Sequence, residues 1–216
     1  MYEIYLDGIV PFFLRCRYLR GRFAVTDGRE NGLREDMRRF RRIKIKGYKG
    51  LLDGLLVSTG RTWTLLRDNP YDYLLDGFVF VRRKFLLREV ESEAVTFKRE
   101  IFDLKGEFPD NYLDLNLDAD RALFAHFQKT GGLVSVARHV EHSILVGWVE
   151  EVYERSFRLR LVDRRGIILG TRSLSYDVVR SVGFGNDYLK SLMLMMRSPK
   201  YLRVLDGQEG SVEVNK

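Results

Sequence analysis

One cysteine in 216 residues, no apolar run of membrane length and no recognisable catalytic motif: these absences narrow the reading first. A lone Cys16 cannot close an intramolecular disulfide. It sits in an apolar, arginine-flanked stretch with no histidine near it in sequence, so it reads as a structural thiol rather than a nucleophile. The longest uninterrupted apolar stretches, 9–14 and 192–196, fall far short of the ~20 residues a helix needs to cross a bilayer. The opening MYEIYLDGIVPFFLRC lacks the positive start and unbroken apolar core of a secretory signal, so a reducing cytoplasm is expected and a membrane partner is not. With 45% hydrophobic residues the chain can bury a core, and 12% aromatics argue against a disordered tail.

What the chain does contain is internal similarity. The stretch from Gly54 to Val90 and the stretch from Gly147 to Val182 share one plan. In each, a glycine closes a strand, an apolar or aromatic run follows, an acidic turn comes next, and further strands lead to a late apolar pair. The pairs are Leu86 with Val90 and Val178 with Val182. Short strands repeated in this way predict two small β-barrels. The clearest strand is SFRLRLV, where Phe157, Leu159 and Leu161 alternate with Arg158 and Arg160. In IKIK, Ile43 and Ile45 likewise oppose Lys44 and Lys46.

Further first-half strands are expected at 51–58, 62–67, 71–75, 77–82 and 85–90, and second-half strands at 134–140, 143–152, 167–176 and 178–184. Three helices are expected. The first starts at Leu33 with Leu33, Met37 and Phe40 on one stripe. The second carries Ala119, Leu123 and Phe127, is capped by Asn116 or Asp118, and stops at Gly131-Gly132. The third is NDYLKSLMLMM, capped by Asn186 or Asp187. The resulting fold class is mainly β with a few helices (α+β): two small β-barrels, each preceded by a short helix. The division is 1–32 as N-terminal strands and loop, 33–105 as the first barrel with its leading helix, 106–203 as linker helix, second barrel and C-terminal helix, and 204–216 as tail.

A helix followed by five strongly bent strands, given twice, resembles the Sm-like variety of SH3-type barrel. The blocks WTLLRDNPYDYLLDGFVFVRRKFLLREV, SILVGWVEEVYERSFRLRLVD and SLSYDVVRSVGFGNDYLKSL are similar to a group of uncharacterised bacterial proteins built from two such units. The resemblance spans Ile43 to Leu194. Its most specific pieces are the turn Leu75-Asp76-Gly77-Phe78 and the exit Phe184-Gly185-Asn186-Asp187-Tyr188. It implies the fold and no particular activity. Sm proteins bind RNA through short polar motifs in two loops, and RDNP and DRRG at the equivalent places here depart from them.

Charge is concentrated. Of a formal +7, the segment 34–49 holds eight basic residues (Arg34, Arg38, Arg39, Arg41, Arg42, Lys44, Lys46, Lys49) against Glu35 and Asp36. Interleaved with Phe40 and Tyr48, this stripe suits phosphate contacts with base stacking, and it equally suits a solvated face or a protected sheet edge. His139 and His142 are three apart, which on a strand points them to opposite faces, so no metal site is expected from them with Glu141 or His126. GFGND precedes a helix but lacks the lysine of a phosphate loop, and Asp187 repels phosphate, so it reads as a tight connection. Met193, Met195 and Met196 read as core filler.

The function expected is that of a non-enzymatic interaction or scaffold protein, with no catalytic residue, metal or cofactor and with a protein partner. The alternative is binding of RNA or single-stranded DNA through the eight basic residues. Monomer and homo-oligomer are both compatible with the sequence.

Overall fold

Period-two alternation builds nearly everything in the computed structural model, which describes residues 40–106, 115–139 and 144–198. The strands expected before residue 33, the helix from Leu33 to Arg39, Cys16, and the tail lie outside the described residues. Among the described residues ten strands form: β1 (Phe40–Ile45), β2 (Leu52–Thr59), β3 (Trp63–Asp68), β4 (Phe78–Arg82), β5 (Leu86–Glu89), β6 (Val134–Arg138), β7 (Ile144–Val152), β8 (Ser156–Val162), β9 (Ile168–Ser175) and β10 (Val179–Phe184). Three helices accompany them: α1 (Glu93–Lys105), α2 (Asp120–Thr130) and α3 (Asp187–Met196).

The strands join in the order β5-β1-β2-β3-β4-β10-β6-β7-β8-β9, every neighbour antiparallel. This corrects the expected pair of small barrels, each behind its own helix. There is one open ten-stranded sheet. The reason lies at its centre, where Phe78, Val79, Phe80 and Val81 of β4 pair with Phe184, Gly183, Val182 and Ser181 of β10. The edge that each half would need for its own closure is spent on the other half. Both described inter-half helices, α1 and α2, follow β5 in sequence rather than one leading each half.

Within the sheet the halves share a strand order: each fifth strand lies beside its own first strand. Gly54 in β2 and Gly147 in β7 occupy matching places. A Cβ on Gly54 would lie 2.5 Å from the Arg67 carbonyl oxygen, and one on Gly147 would collide with the carbonyl of Arg160. Each glycine is followed by a bulge, between Leu56 and Ser58 in one strand and between Val149 and Glu151 in the other. Bulges bend strands, and the absent Cβ lets the neighbouring backbone close in.

Three local expectations change. Phe40 opens β1, opposite Leu55, instead of ending a helix, so Arg41 and Arg42 are strand residues. Residues 71–75 make only a Tyr71–Leu74 bridge, because the Asn69 side-chain amide donates to the carbonyls of both Tyr71 and Leu74 and curls the loop. Helix α1 has no counterpart in the sequence reading. Its signals are Ser92, whose Oγ accepts the Val95 N–H, Gly106 as a left-handed stop, and Val95 with Phe102 seven apart on the buried face.

The core sits between the sheet and α2. Leu123, Phe124 and Phe127 of α2 are fully buried. Phe124 stacks on Phe157 at 4.0 Å and meets Trp63 edge-on at 6.3 Å, so one ring touches both halves. Each such phenyl contributes about 2–3 kcal/mol by burial. Asn116 and Asp118 do not cap α2; Ala119 stands at that position without a side-chain bond. Instead Asp120 in its first turn accepts the Trp63 indole N–H at 2.9 Å and an Arg82 N–H at 2.6 Å.

The two pieces of sequence singled out by resemblance meet here. Gly77 has φ +68°, and a Cβ there would lie 2.5 Å from the Asn186 amide nitrogen, while Asp76 accepts the Asp187 N–H. Gly77→Ala is therefore expected to cost about 2–4 kcal/mol, adding backbone collision to left-handed strain. Gly131→Ala, at φ +62° with nothing within 4 Å, is expected to cost only about 1 kcal/mol. Urea denaturation of both variants measures the difference; equal losses would mean that the contact with Asn186 carries no weight.

Candidate ligand cavity at the seam of the sheet

Among the described residues the basic stripe does not assemble into one groove. Arg34, Arg38 and Arg39 lie outside the described residues. Arg41 and Arg42 project to opposite faces of β1: Arg41 pairs with Glu89, and Arg42 makes a two-pronged bond to Asp53 at 2.7 and 2.6 Å. Lys98 of α1 joins Asp53 at 3.1 Å and Asn69 at 2.8 Å. Burial pushes the Asp53 carboxyl up, but these two cations outweigh it and hold its pKa below the usual range. Lys44 donates to the carbonyls of Tyr48, Lys49 and Gly50 and so closes the β1–β2 turn. Lys46 and Lys49 are exposed.

That turn roofs a cavity of about 690 Å³. Its origin can be read from the register at the seam. Phe80, Val182 and Val136 lie level and point into the α2 core; the residues alternating with them point the other way. On that second face stand Val79 with Gly183 and Ser135, and Val81 with Ser181 and Ala137. Small residues on β10 and β6 leave the floor low, while Ile45, Leu52 and Ile144 form apolar walls. A second cavity of about 600 Å³ shares Tyr48, Lys49, Gly50, Leu52 and Asp68 with the first and runs on toward Arg42, Asn69 and Lys98.

Two ionisable side chains line the main cavity from within the sheet. Arg180 falls at the bulge between Val179 and Ser181, which breaks the alternation of β10. It is only 6% exposed. One N–H reaches the Gly47 carbonyl at 2.7 Å, and the guanidinium lies 5.7 Å over the Tyr48 ring. Asp68, at the end of β3, is half-buried, and burial aided by the charges of Asp76 and Asp53 pushes its pKa up to about 6 against the pull of the Asn69 amide.

No protein-family model, curated protein or solved structure matches the chain. The reading of this site rests on its own geometry.

The other sequence candidates fall elsewhere. His126 lies on α2, its pKa lowered by burial and by Lys129. His139 shares a hydrogen with the Val178 carbonyl and lies on Phe85. Glu141 and His142 are outside the described residues, and among the described residues no three metal-ligating side chains cluster. In GFGND, Gly185 takes φ +66° and Asn186 caps α3 by accepting the Leu189 N–H. Met193 and Met196 pack with Leu133, Val162, Leu189 and Leu192, whereas Met195 is 47% exposed. Among the described residues no helix is long and apolar enough to cross a membrane.

The sequence reading did not single out Arg180 or Asp68. A signal for the first existed: an arginine between Val179 and Val182 in an apolar strand is a charge in a place where charges are rarely left.

The raised Asp68 pKa makes stability depend on pH with a definite sign. Its folded value lies above its unfolded one, so the native state holds the extra proton, and stability falls as pH rises from about 4 through about 6. Asp68→Asn removes this dependence. Allowing for partial exposure, the variant is expected to gain on the order of 2 kcal/mol over wild type at pH 8 and nothing at pH 4. Denaturant melts across that range test it, and a variant that is destabilised at pH 8 would contradict it.

Proposed function

We propose that the chain is a non-enzymatic interaction protein, a scaffold that takes a partner strand along the open edge of β9. One observation carries the reading: seven of the eight β9 residues are exposed, with only Leu174 turned into the core. Among the described residues β9 pairs on one side alone, with β8, so half of its backbone groups face away from the sheet. Ile168 and Leu169 add apolar surface at 41% and 63% exposure. Unused edges are commonly blunted by shortness, charge, proline or bulges, and of bulges β9 has a single one, at Leu169. The opposite edge, β5, is four residues long and carries Arg88 and Glu89; β9 has eight residues, no proline and one charge, Arg172. An extended peptide adding there would gain main-chain hydrogen bonds, with the alternating side chains setting preference.

Panning a displayed library of random peptides against the immobilised chain tests this. Enriched peptides are expected to alternate apolar and polar residues and to bind about tenfold more weakly, or worse, to Leu169→Lys, which protects an edge without touching the core. Peptides indifferent to that change would overturn the reading. So would reproducible turnover in a broad substrate screen that one cavity substitution abolishes.

A second reading, nucleic-acid binding by the basic segment, is favoured by one detail: Lys46 and Lys49 are exposed and flank Tyr48, itself 45% exposed on the β1–β2 turn. Anisotropy titrations with labelled single-stranded RNA and DNA at about 50 and 200 mM salt separate it from a solvated surface. Lys46→Gln with Lys49→Gln is expected to weaken binding and to flatten the salt slope by about 0.7 per lysine. Equal binding by wild type and this double variant ends the idea.

A further inference from the structure

We infer that the cavity at the β4–β10 seam binds a small amphiphilic anion, its carboxylate or phosphate on Arg180 and its apolar body along the sheet. A guanidinium carries five N–H donors and a charge that stays at any physiological pH. Here it is 6% exposed, one hydrogen bond goes to a backbone carbonyl, and among the described residues no carboxylate forms an ion pair with it. Burying a cation without a counter-anion is costly, and a β strand with a valine on each side of its bulge would accept an apolar residue at that place. The charge makes physical sense when an anion arrives beside it. The space for one is present, about 690 Å³ against the roughly 300–1,000 Å³ of small-molecule sites.

The lining gives the rest of the ligand its character. Val79, Ile45, Leu52 and Ile144 supply apolar walls, and the low floor of Gly183 and Ala137 lets a chain or flat ring lie against the backbone. Ser135 and Ser181 place hydroxyls along that floor, and Lys49 adds a second positive charge to the lining. The backbone positions that carry the two ionisable residues are also set apart along the seam. Ser181, next to Arg180, pairs with Val81, whereas the Asp68 amide donates to the Gly77 carbonyl. Four residues of strand separate these levels, about 13 Å. A ligand with acids at both ends would bring one of them to Asp68, so the fit is to an anion at one end only.

Calorimetric titration with four eight-carbon probes tests the inference: octanoate, octyl phosphate, octanol and octylamine. Saturable binding of octanoate, octyl phosphate or both, with octanol and octylamine weaker by about tenfold or more, is the expected result, and the better anion identifies the head group. Arg180→Gln is expected to erase the preference for anions. Because that change also strips a bond from Gly47, Ala137→Trp serves as a second variant, filling the cavity from its floor while Arg180 keeps its contacts; it is expected to abolish binding with the thermal melt retained. Leu169→Lys on β9 is expected to bind like wild type, so failure at the edge and failure in the cavity are separable. Absent binding by wild type, equal binding of all four probes, or wild-type affinity in both cavity variants overturns the inference.

Discussion

The pairing of β4 with β10 is the constraint on which the rest of the molecule depends. It makes one sheet of two five-stranded halves, and by alternation it assigns every residue near the seam to one of two faces. On one face Phe80 and Val182 join Val136 beneath the aromatic side chains of α2. On the other, Gly183 and Ser181 face Ser135 and Ala137 and leave an open volume. A slip of β10 by one residue would exchange its two sets, burying Ser181 under Phe127 and turning Val182 to the open side. The packed core and the cavity are two sides of a single register.

Position within this sheet, more than number, decides what each arginine does. Arg82 is buried but answered, by Asp120 in an ion pair and by the Trp63 ring at 4.8 Å. Arg42 is answered by Asp53, and Lys98 ties the same carboxylate to α1. Both sites lock a helix to the sheet, and removing one partner leaves the other charge stranded, typically worth about 3–5 kcal/mol when fully buried. Arg180 breaks the pattern because its partner is a carbonyl and an aromatic face rather than an acid. The dense basic stretch 34–49, the most conspicuous feature of the composition, contributes mainly structural bonds where it is described; the less conspicuous Arg180 lines the cavity.

Much of the strand pattern was legible because it depends on short-range alternation. Phe157 and Leu159 are buried in β8 as their spacing demands, and Val162, on the opposite face, is buried against Leu189 and Leu192 of α3. Helices α2 and α3 were legible from Gly131 and Asn186 at their ends. The closure of the halves was not legible, since local periodicity describes a strand's two faces and says nothing about which strand will occupy its edge. That choice is made by distant residues: Gly77 must admit Asn186, and Asp76 must receive the Asp187 amide. The turn and the exit stood out separately in the sequence, 111 residues apart at the Asp76–Asp187 bond, with nothing local to show that they touch. Helix α1 escaped for a related reason: its buried face is little more than Val95 and Phe102, and its exposed residues resemble a charged loop.

An open sheet must finish somewhere, and each end strand has one row of backbone groups that no described strand takes. At β5 the exposure is brief, and the chain leaves at once into α1, whose Phe102 stacks on Phe40 and brings the helix against β1. At β9 the chain instead extends eight residues and returns through Tyr176 to β10 at the seam. Strand β8 is covered by α2 at Phe157 and Leu159 and by α3 at Val162, whereas β9 turns only Leu174 into the core. Its middle, from Leu169 to Arg172, has no core to satisfy. A strand retains that length against solvent at a cost in backbone entropy of about 1–2 kcal/mol per ordered residue, met here by the ladder to β8 alone. The asymmetry between a short edge that the chain leaves at once and a long one is therefore a property of the fold itself, set by where the chain leaves for α1 and where the second half must turn back to reach its seam.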